Sequence, residues 1–519
     1  MSRKKAKTAP QKAFDDAQQT HEAAGGAGRM IMNMSKEMSL GLQRARHAFA
    51  LLLHVLLLTA LTSGQIAWAQ DASKGKDATG APQSKLVQPV LPDTAKIKAV
   101  ADKAAALVTE FDVNGLKVLV KRRAGSLTVA TALFMRGGAR NVTAQNAGIE
   151  ALMWDAATEA SQAFPRETLR REQARMGTGI SYDVSYDYSL LGMISTRPNF
   201  DRSWEMFADI ALHPTFAPED VKRVQNKLVV ARSNNEDSPD EYLQELQARV
   251  AYAGHPYSND PEGSAETISK LSIEDVRAYH KRMMETSRLL LVVVGDLDAA
   301  TLRQRINDSF GKLPRGTYKP EPLPQLSFAT SSVDVTTKGL PTNYIQGVFA
   351  APPLTSEDIY PMRVASSLLN DRVLVEVRFR RNLSYAPEAF LREQGTNIGG
   401  IYVTAVDANQ AVGVMLNEIA RLQHERADNS EVQSTISGYL TRYYLGQETN
   451  MAQAGELARY ELLGGGWRNS LDFLERLRTV TPTDVQRVAQ KYMRNLRFVV
   501  IGDPKAIDRN IFTSQTSGQ

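Results

Sequence analysis

Apolar positions along the chain come first in strand-length runs and then in helical periods. Residues 108–113 and 116–121 are two such runs around Asn114-Gly115. Both residues of that two-residue turn must take positive φ, so a hairpin is predicted. Residues 127–135 predict a third strand, stopped by Gly137-Gly138. Ile149, Leu152, Met153 and Ala156 then recur at i, i+3, i+4, i+7, the signature of one apolar helix face. Further helices are predicted at 165–176, 200–212, 218–234, 239–253 and 272–284, and residues 289–294 predict a short buried strand.

The end of this pattern recurs. Residues 272–298 read SIEDVRAYHKRMMETSRLLLVVVGDLD and residues 481–505 read TPTDVQRVAQKYMRNLRFVVIGDPK. Each runs from a capping hydroxyl (Ser272; Thr481 or Thr483) through an amphipathic helix and an apolar strand to Gly-Asp. The spacing of about 208 residues is far too long for a solenoid and indicates a duplicated domain. Pro314, Pro320, Pro322 and Pro324 mark an extended linker over 313–326. The expected organisation is a leader to residue 69, a linker over 70–106, one half over 107–312, the linker, a second half over 327–510 and a tail over 511–519.

Charge matters only at the N-terminus. Residues 1–69 hold nine basic and four acidic side chains, which accounts for the whole formal charge of +5 and leaves the body balanced. A balanced body offers nucleic acid no field, so none is expected as a partner. The absence of Cys excludes disulfides, thiolate metal sites and a Cys nucleophile. Residues 48–61 (AFALLLHVLLLTAL) follow Arg44 and Arg46 and precede Ala67-Trp68-Ala69. That is the layout of a secretory signal peptide with cleavage after Ala69, and Met38 is a candidate start that gives it ordinary length. The apolar run of 14 residues is short for a membrane span, so no integral span is expected in the mature chain, an uncleaved anchor over 48–61 being the alternative. Export without Cys fits a periplasm better than a disulfide-stabilised secreted domain, so the mature chain is expected to be periplasmic or secreted.

The hairpin before a Gly-rich strand end, His255-Pro256-Tyr257 with Pro261 and Gly263, the two strand–Gly-Asp repeats and Tyr460–Gly466 (YELLGGG) together resemble the pitrilysin/insulinase/mitochondrial processing peptidase superfamily, over roughly residues 107–510. The resemblance implies an α+β fold of two homologous halves, each a mostly antiparallel sheet with helices packed on it, closing as a clamshell. Active members are zinc peptidases of the H-x-x-E-H type, in which two His on one helix face and a Glu about 75 residues on hold the metal and the Glu between the His is the general base. Here that helix reads Gly148-Ile149-Glu150-Ala151-Leu152-Met153-Trp154-Asp155, so Ala151 and Asp155 stand for the His, Trp154 for the base, and the downstream Glu falls near Ala231, with Glu236 close by. The body's four His (His213, His255, His280, His424) include no pair at i, i+3 or i, i+4. No G-x-S-x-G elbow and no phosphate-binding loop occurs either.

Residues 374–385 (LVEVRFRRNLSY) are similar to the superfamily's R-x-x-x-G-[LI]-[AS]-Y element, with Asn382 at the Gly position. Arg378 and Tyr385 match the pair that acts on substrate there. An ordinary packed segment with a solvated basic end is the competing reading. The resemblance thus implies a subunit with no metal or base chemistry of its own and no cofactor in this chain. It would lend substrate binding and oxyanion stabilisation through Arg378 and Tyr385 to a same-family partner that carries H-x-x-E-H and zinc, around an extended peptide. A peptidase-derived scaffold or peptide-binding protein is the alternative.

Overall fold

The computed structural model describes residues 94–514. The expected signal peptide and its cleavage point lie outside them. The first half runs α1 (Thr94–Ala106), β1 (Val108–Val113), β2 (Leu116–Arg122), β3 (Thr128–Arg136), α2 (Ile149–Ala157), α3 (Arg166–Met176), β4 (Gly179–Val184), β5 (Tyr188–Thr196), α4 (Phe200–Leu212), α5 (Pro218–Ser233), α6 (Pro239–Ala251), α7 (Ala265–Lys270), α8 (Ile273–Met283), β6 (Leu289–Gly295) and α9 (Ala299–Asp308). The second runs β7 (Ser332–Thr336), β8 (Asn343–Ala351), α10 (Ile359–Val373) continuing as a π-helical turn (Leu374–Arg380), β9 (Glu388–Leu391), β10 (Asn397–Ala405), α11 (Ala408–His424), α12 (Asn429–Gly446), α13 (Asn450–Leu463), α14 (Asn469–Arg478), α15 (Pro482–Tyr492), β11 (Arg497–Ile501) and α16 (Arg509–Thr513).

The strand orders are β1-β2-β6-β3-β5-β4 and β7-β11-β8-β10-β9. Each sheet has one parallel pair, β2 with β6 and β7 with β11, and is otherwise antiparallel. Five strands of the first sheet therefore match the second one for one, with β1 the extra strand. The fold is α+β with two homologous halves.

Local chemistry explains the elements that the pattern predicts. Asn114 and Gly115 both take positive φ, 52° and 89°, and Asp112 accepts the Gly115 N–H at 2.8 Å. Ser272 caps α8 and Thr481 caps α15, each in a reciprocal box with the Asp three residues on. Gly263 and Gly148 must both be glycine. A Cβ on Gly263 would lie 2.5 Å from the Ala147 carbonyl oxygen, and one on Gly148 would lie 2.7 Å from Ile268 Cγ1. This contact sets the start of α2.

Two boundaries differ from the sequence expectation, and the expected extended linker proves to be tied down along its length. Residues 94–106, expected as linker, form α1, which packs against α14; its Lys/Ala composition favours helix without a strong apolar period. The tail boundary at 511 cuts α16, whose Phe512 is 1% exposed and meets Phe498 edge-on. Residues 313–326 are extended but fastened: the Thr286 N–H donates to the Pro314 carbonyl (3.0 Å), His255 Nε2 lies 2.9 Å from that of Pro324, and the Leu326 N–H donates to Thr396 Oγ1 (3.0 Å).

The halves exchange helices. Leu457, Ala458 and Trp467, on and just after α13, pack on Leu119, Phe134, Leu290 and Val292 of the first sheet. In return Leu243 of α6 packs on Val499 and Ile501 of the second. Polar ties follow the same seam. Trp467 Nε1 donates to Glu110 (2.7 Å), and Asp187 accepts the Tyr257 hydroxyl and the Gly395 N–H (3.0 Å). The described residues therefore form a single compact unit. Among them no helix is long and apolar enough to cross a membrane.

Candidate functional site

Two places answer to the sequence expectations. The first is α2, packed on α5 and α8. All its residues from Ile149 to Ala157 are buried. Ala151 has no donor atom for a metal. Trp154 is fully buried and its indole N–H donates to Ser189 Oγ at 3.0 Å. Asp155 accepts Lys227 Nζ at 2.9 Å and the Tyr182 hydroxyl at 3.1 Å. Ala231 is exposed on α5, and Glu236 is exposed in the turn after it. These groups do not fit zinc. The positive charge that meets Asp155 is the Lys227 ammonium, one helical turn before Ala231 on the same helix. Among the described residues no group of three or more His, Asp or Glu is placed to hold a metal ion.

Sequence reasoning passed over three residues here. Lys227 was legible as the position i−4 from Ala231, hence on the same face. Tyr182 had no signal, because strand β4 itself had none. Glu150 was read only as a spacer, yet it is fully buried and accepts the Tyr279 hydroxyl (2.6 Å) and Asn141 Nδ2 (2.9 Å) through Oε1, while Oε2 has no partner among the described residues. Burial holds its carboxyl above the ordinary range, the hydrogen bonds from Tyr279 and Asn141 opposing this in part.

The second place is the end of the π-helical turn. Asn382 takes φ 51°, the left-handed conformation for which Asn is second to Gly. The Leu383 N–H closes back on the Val377 carbonyl at 2.8 Å. This reverses the chain so that the Tyr385 ring lies 3.9 Å from the Arg378 guanidinium carbon. Tyr385 is 76% exposed, so it is no core residue, and its hydroxyl has no hydrogen bond among the described residues. Arg378 likewise has no carboxylate partner among them; its other neighbour is the Phe379 ring at 5.3 Å. The pair borders a shallow cavity of about 300 Å³ with the side chains of Thr342, Ser384, Thr404 and Val406. A part-buried guanidinium and an exposed phenol held together, both uncommitted, can donate to a peptide carbonyl or to an oxygen gaining negative charge.

The insulinase (peptidase family M16) profile matches residues 117–263 and the peptidase M16 inactive domain profile matches residues 270–439, together more than half of the chain. The chain is similar to the beta subunit of the mitochondrial-processing peptidase of Blastocladiella emersonii, 23% identical over 75% of this chain and 87% of that protein. It is similar to subunit 1 of the mitochondrial cytochrome b-c1 complex of Bos taurus, 22% identical over 54% of this chain and 60% of that protein. An uncharacterized zinc protease of Bacillus subtilis is 19% identical over 73% of this chain and 93% of that protein. Two solved structures share the fold: a protease from Helicobacter pylori (TM-score 0.70, 16% identity, 76% of this chain and 99% of that one) and a peptidase M16 inactive domain from Pseudomonas fluorescens (TM-score 0.70, 15% identity, 76% and 97%).

Proposed function

Because the chain belongs to the M16 (insulinase) peptidase family, we propose that it is the non-catalytic subunit of a heteromeric zinc metallopeptidase. A same-family partner carries H-x-x-E-H and its metal. This chain supplies Arg378 and Tyr385, which hydrogen-bond an extended peptide and the oxygen that gains charge as the scissile carbonyl is attacked. The observation that carries the reading is an asymmetry. The first-half helix offers no zinc ligand set, its Asp155 being committed to Lys227 and Tyr182, whereas in the second half an exposed Tyr385 stacks on a part-buried Arg378 and neither has a hydrogen-bonding partner among the described residues. Two relatives are by name subunits of larger assemblies, which supports a paired role. The chain acts after export and cleavage near Ala69, in the periplasm, where intact mass of the native protein checks the cleavage point.

The test is purification from the native host through a tag on this chain, followed by metal analysis and peptide cleavage on the assembled material and on the chain alone. The expected result is an M16 partner with H-x-x-E-H, zinc in the assembly and cleavage only by the assembly. Recovery of the chain alone, or with no such partner, favours a peptidase-derived scaffold or peptide-binding protein.

A further inference from the structure

Arg378, Arg380 and Arg381 lie within four residues of one another, and only Arg378 is left without a carboxylate among the described residues. The cause is Glu376. It is 7% exposed, and a buried carboxylate needs compensating charge. Its Oε1 accepts Arg380 Nη1 at 2.6 Å and its Oε2 accepts Arg381 Nη1, which also reaches the Glu376 carbonyl oxygen at 3.3 Å. The hydrogen bond from Arg381, joined by the charge of Arg380, holds the carboxyl below the ordinary range.

The π-helical turn makes this arrangement available. An α-helix brings i+4 over i but rotates i+5 away, whereas a π turn is built on i to i+5 spacing. Residues 380 and 381 therefore both meet the Glu376 side chain, while residue 378, two positions on, points away from it. We propose that Glu376 is a positioning residue: its carboxylate holds Arg380 and Arg381 on one side of the turn, so that Arg378 alone presents a guanidinium to the peptide. Three uncommitted guanidiniums would repel one another and compete for the same oxygen, and Arg378 would lose its seat on the Tyr385 ring for part of the time. The inference rests on the proposed role of Arg378, but it has a readout that does not.

That readout is arginine labelling of the isolated chain with phenylglyoxal, mapped by mass spectrometry. Arg380 and Arg381 are exposed but ion-paired, whereas Arg378 is part-buried and unpaired, and ion-paired guanidiniums react slowly; Glu376→Gln should therefore raise the labelling of Arg380 and Arg381 several-fold relative to that of Arg378. An unchanged labelling ratio in Glu376→Gln overturns the proposal whatever the activity shows. In the assembled peptidase, Glu376→Gln should lower kcat about tenfold with little change in KM, a part of the ~10²–10³ that losing an oxyanion donor outright costs. Glu376→Gln/Arg380→Ala/Arg381→Ala should recover most of that loss, which a merely structural role of Glu376 would not allow. An unchanged kcat in Glu376→Gln, or a triple variant as slow as the single one, overturns the positioning role. An unchanged kcat in Arg378→Ala instead sinks the functional reading itself.

Discussion

Glu150 and Asp155 sit five residues apart on one buried helix and are held differently. Asp155 has a cation, Lys227, and a phenol donor. Glu150 is bonded directly only by neutral donors, Tyr279 and Asn141 on one oxygen, with Ser189 and the charge of Arg288 acting on it more weakly. A folded pKa raised above the unfolded one means that the native state favours the neutral acid. The stabilisation is then complete at low pH and is lost as pH rises through the folded pKa. Glu150→Gln keeps the shape and removes the titration, so its melting temperature should gain on the parent chain as pH rises above the unfolded Glu value of about 4.3. Thermal melts from acid to neutral pH check it, and a pH-independent difference would mean that Glu150 titrates in the fold as it does unfolded. At the metal position, the purified chain alone should bind no stoichiometric zinc and cleave no peptide, because Ala151, Trp154 and Asp155 provide neither ligand set nor base. Elemental analysis showing one tight zinc per chain, with chelator-sensitive cleavage, contradicts this. The loss of the motif was legible because it depends on residue identity at known spacing. What replaced it was not, since the Lys227 contact crosses 72 residues of sequence.

Elements with a strong apolar period or a turn that demands positive φ were legible, and those that depend on distant packing were not. β4 has a burial pattern alternating exposed and intermediate positions, with one buried residue at its end, so its sequence carries little apolar signal. β5 contains Gly192, which reads as a breaker; there a Cβ would lie 3.2 Å from Met451 Cε of α13, a close approach by a side chain from the other half that no local pattern shows. The reversal after the π-helical turn was legible at Asn382 but the π turn was not, because the contact that suits it, Glu376 with Arg380 and Arg381, looks like scattered surface charge in one dimension. If φ at Asn382 is what matters, Asn382→Gly should be neutral or slightly stabilising, whereas Asn382→Val should cost about 1–2 kcal/mol in urea unfolding, the left-handed penalty for a branched side chain. Equal losses in both variants would assign the effect to the Asn side chain instead.

At the scale of the molecule, the halves are locked by helices that each lends to the other's sheet. The duplication was legible from the strand–Gly-Asp repeat; the exchange was not, because no local pattern says which sheet an amphipathic helix will cover. Leu243 is fully buried against Val499 and Ile501 of the other half. Leu243→Ala should therefore cost about 2–5 kcal/mol, the usual range for a Leu cavity, and should lower one shared calorimetric transition. Two resolved transitions would show that the halves melt independently.

The most direct measurement is turnover of the assembled peptidase carrying Arg378→Ala, Tyr385→Phe or both, on material verified to be folded and paired. Each single change should lower kcat by ~10²–10³, the cost of removing one oxyanion donor, with Arg378→Ala at least as severe. The double variant should lose much less than the product of the two, because the residues act as a unit. Unchanged kcat in both single variants would contradict the catalytic role and leave the scaffold reading in its place.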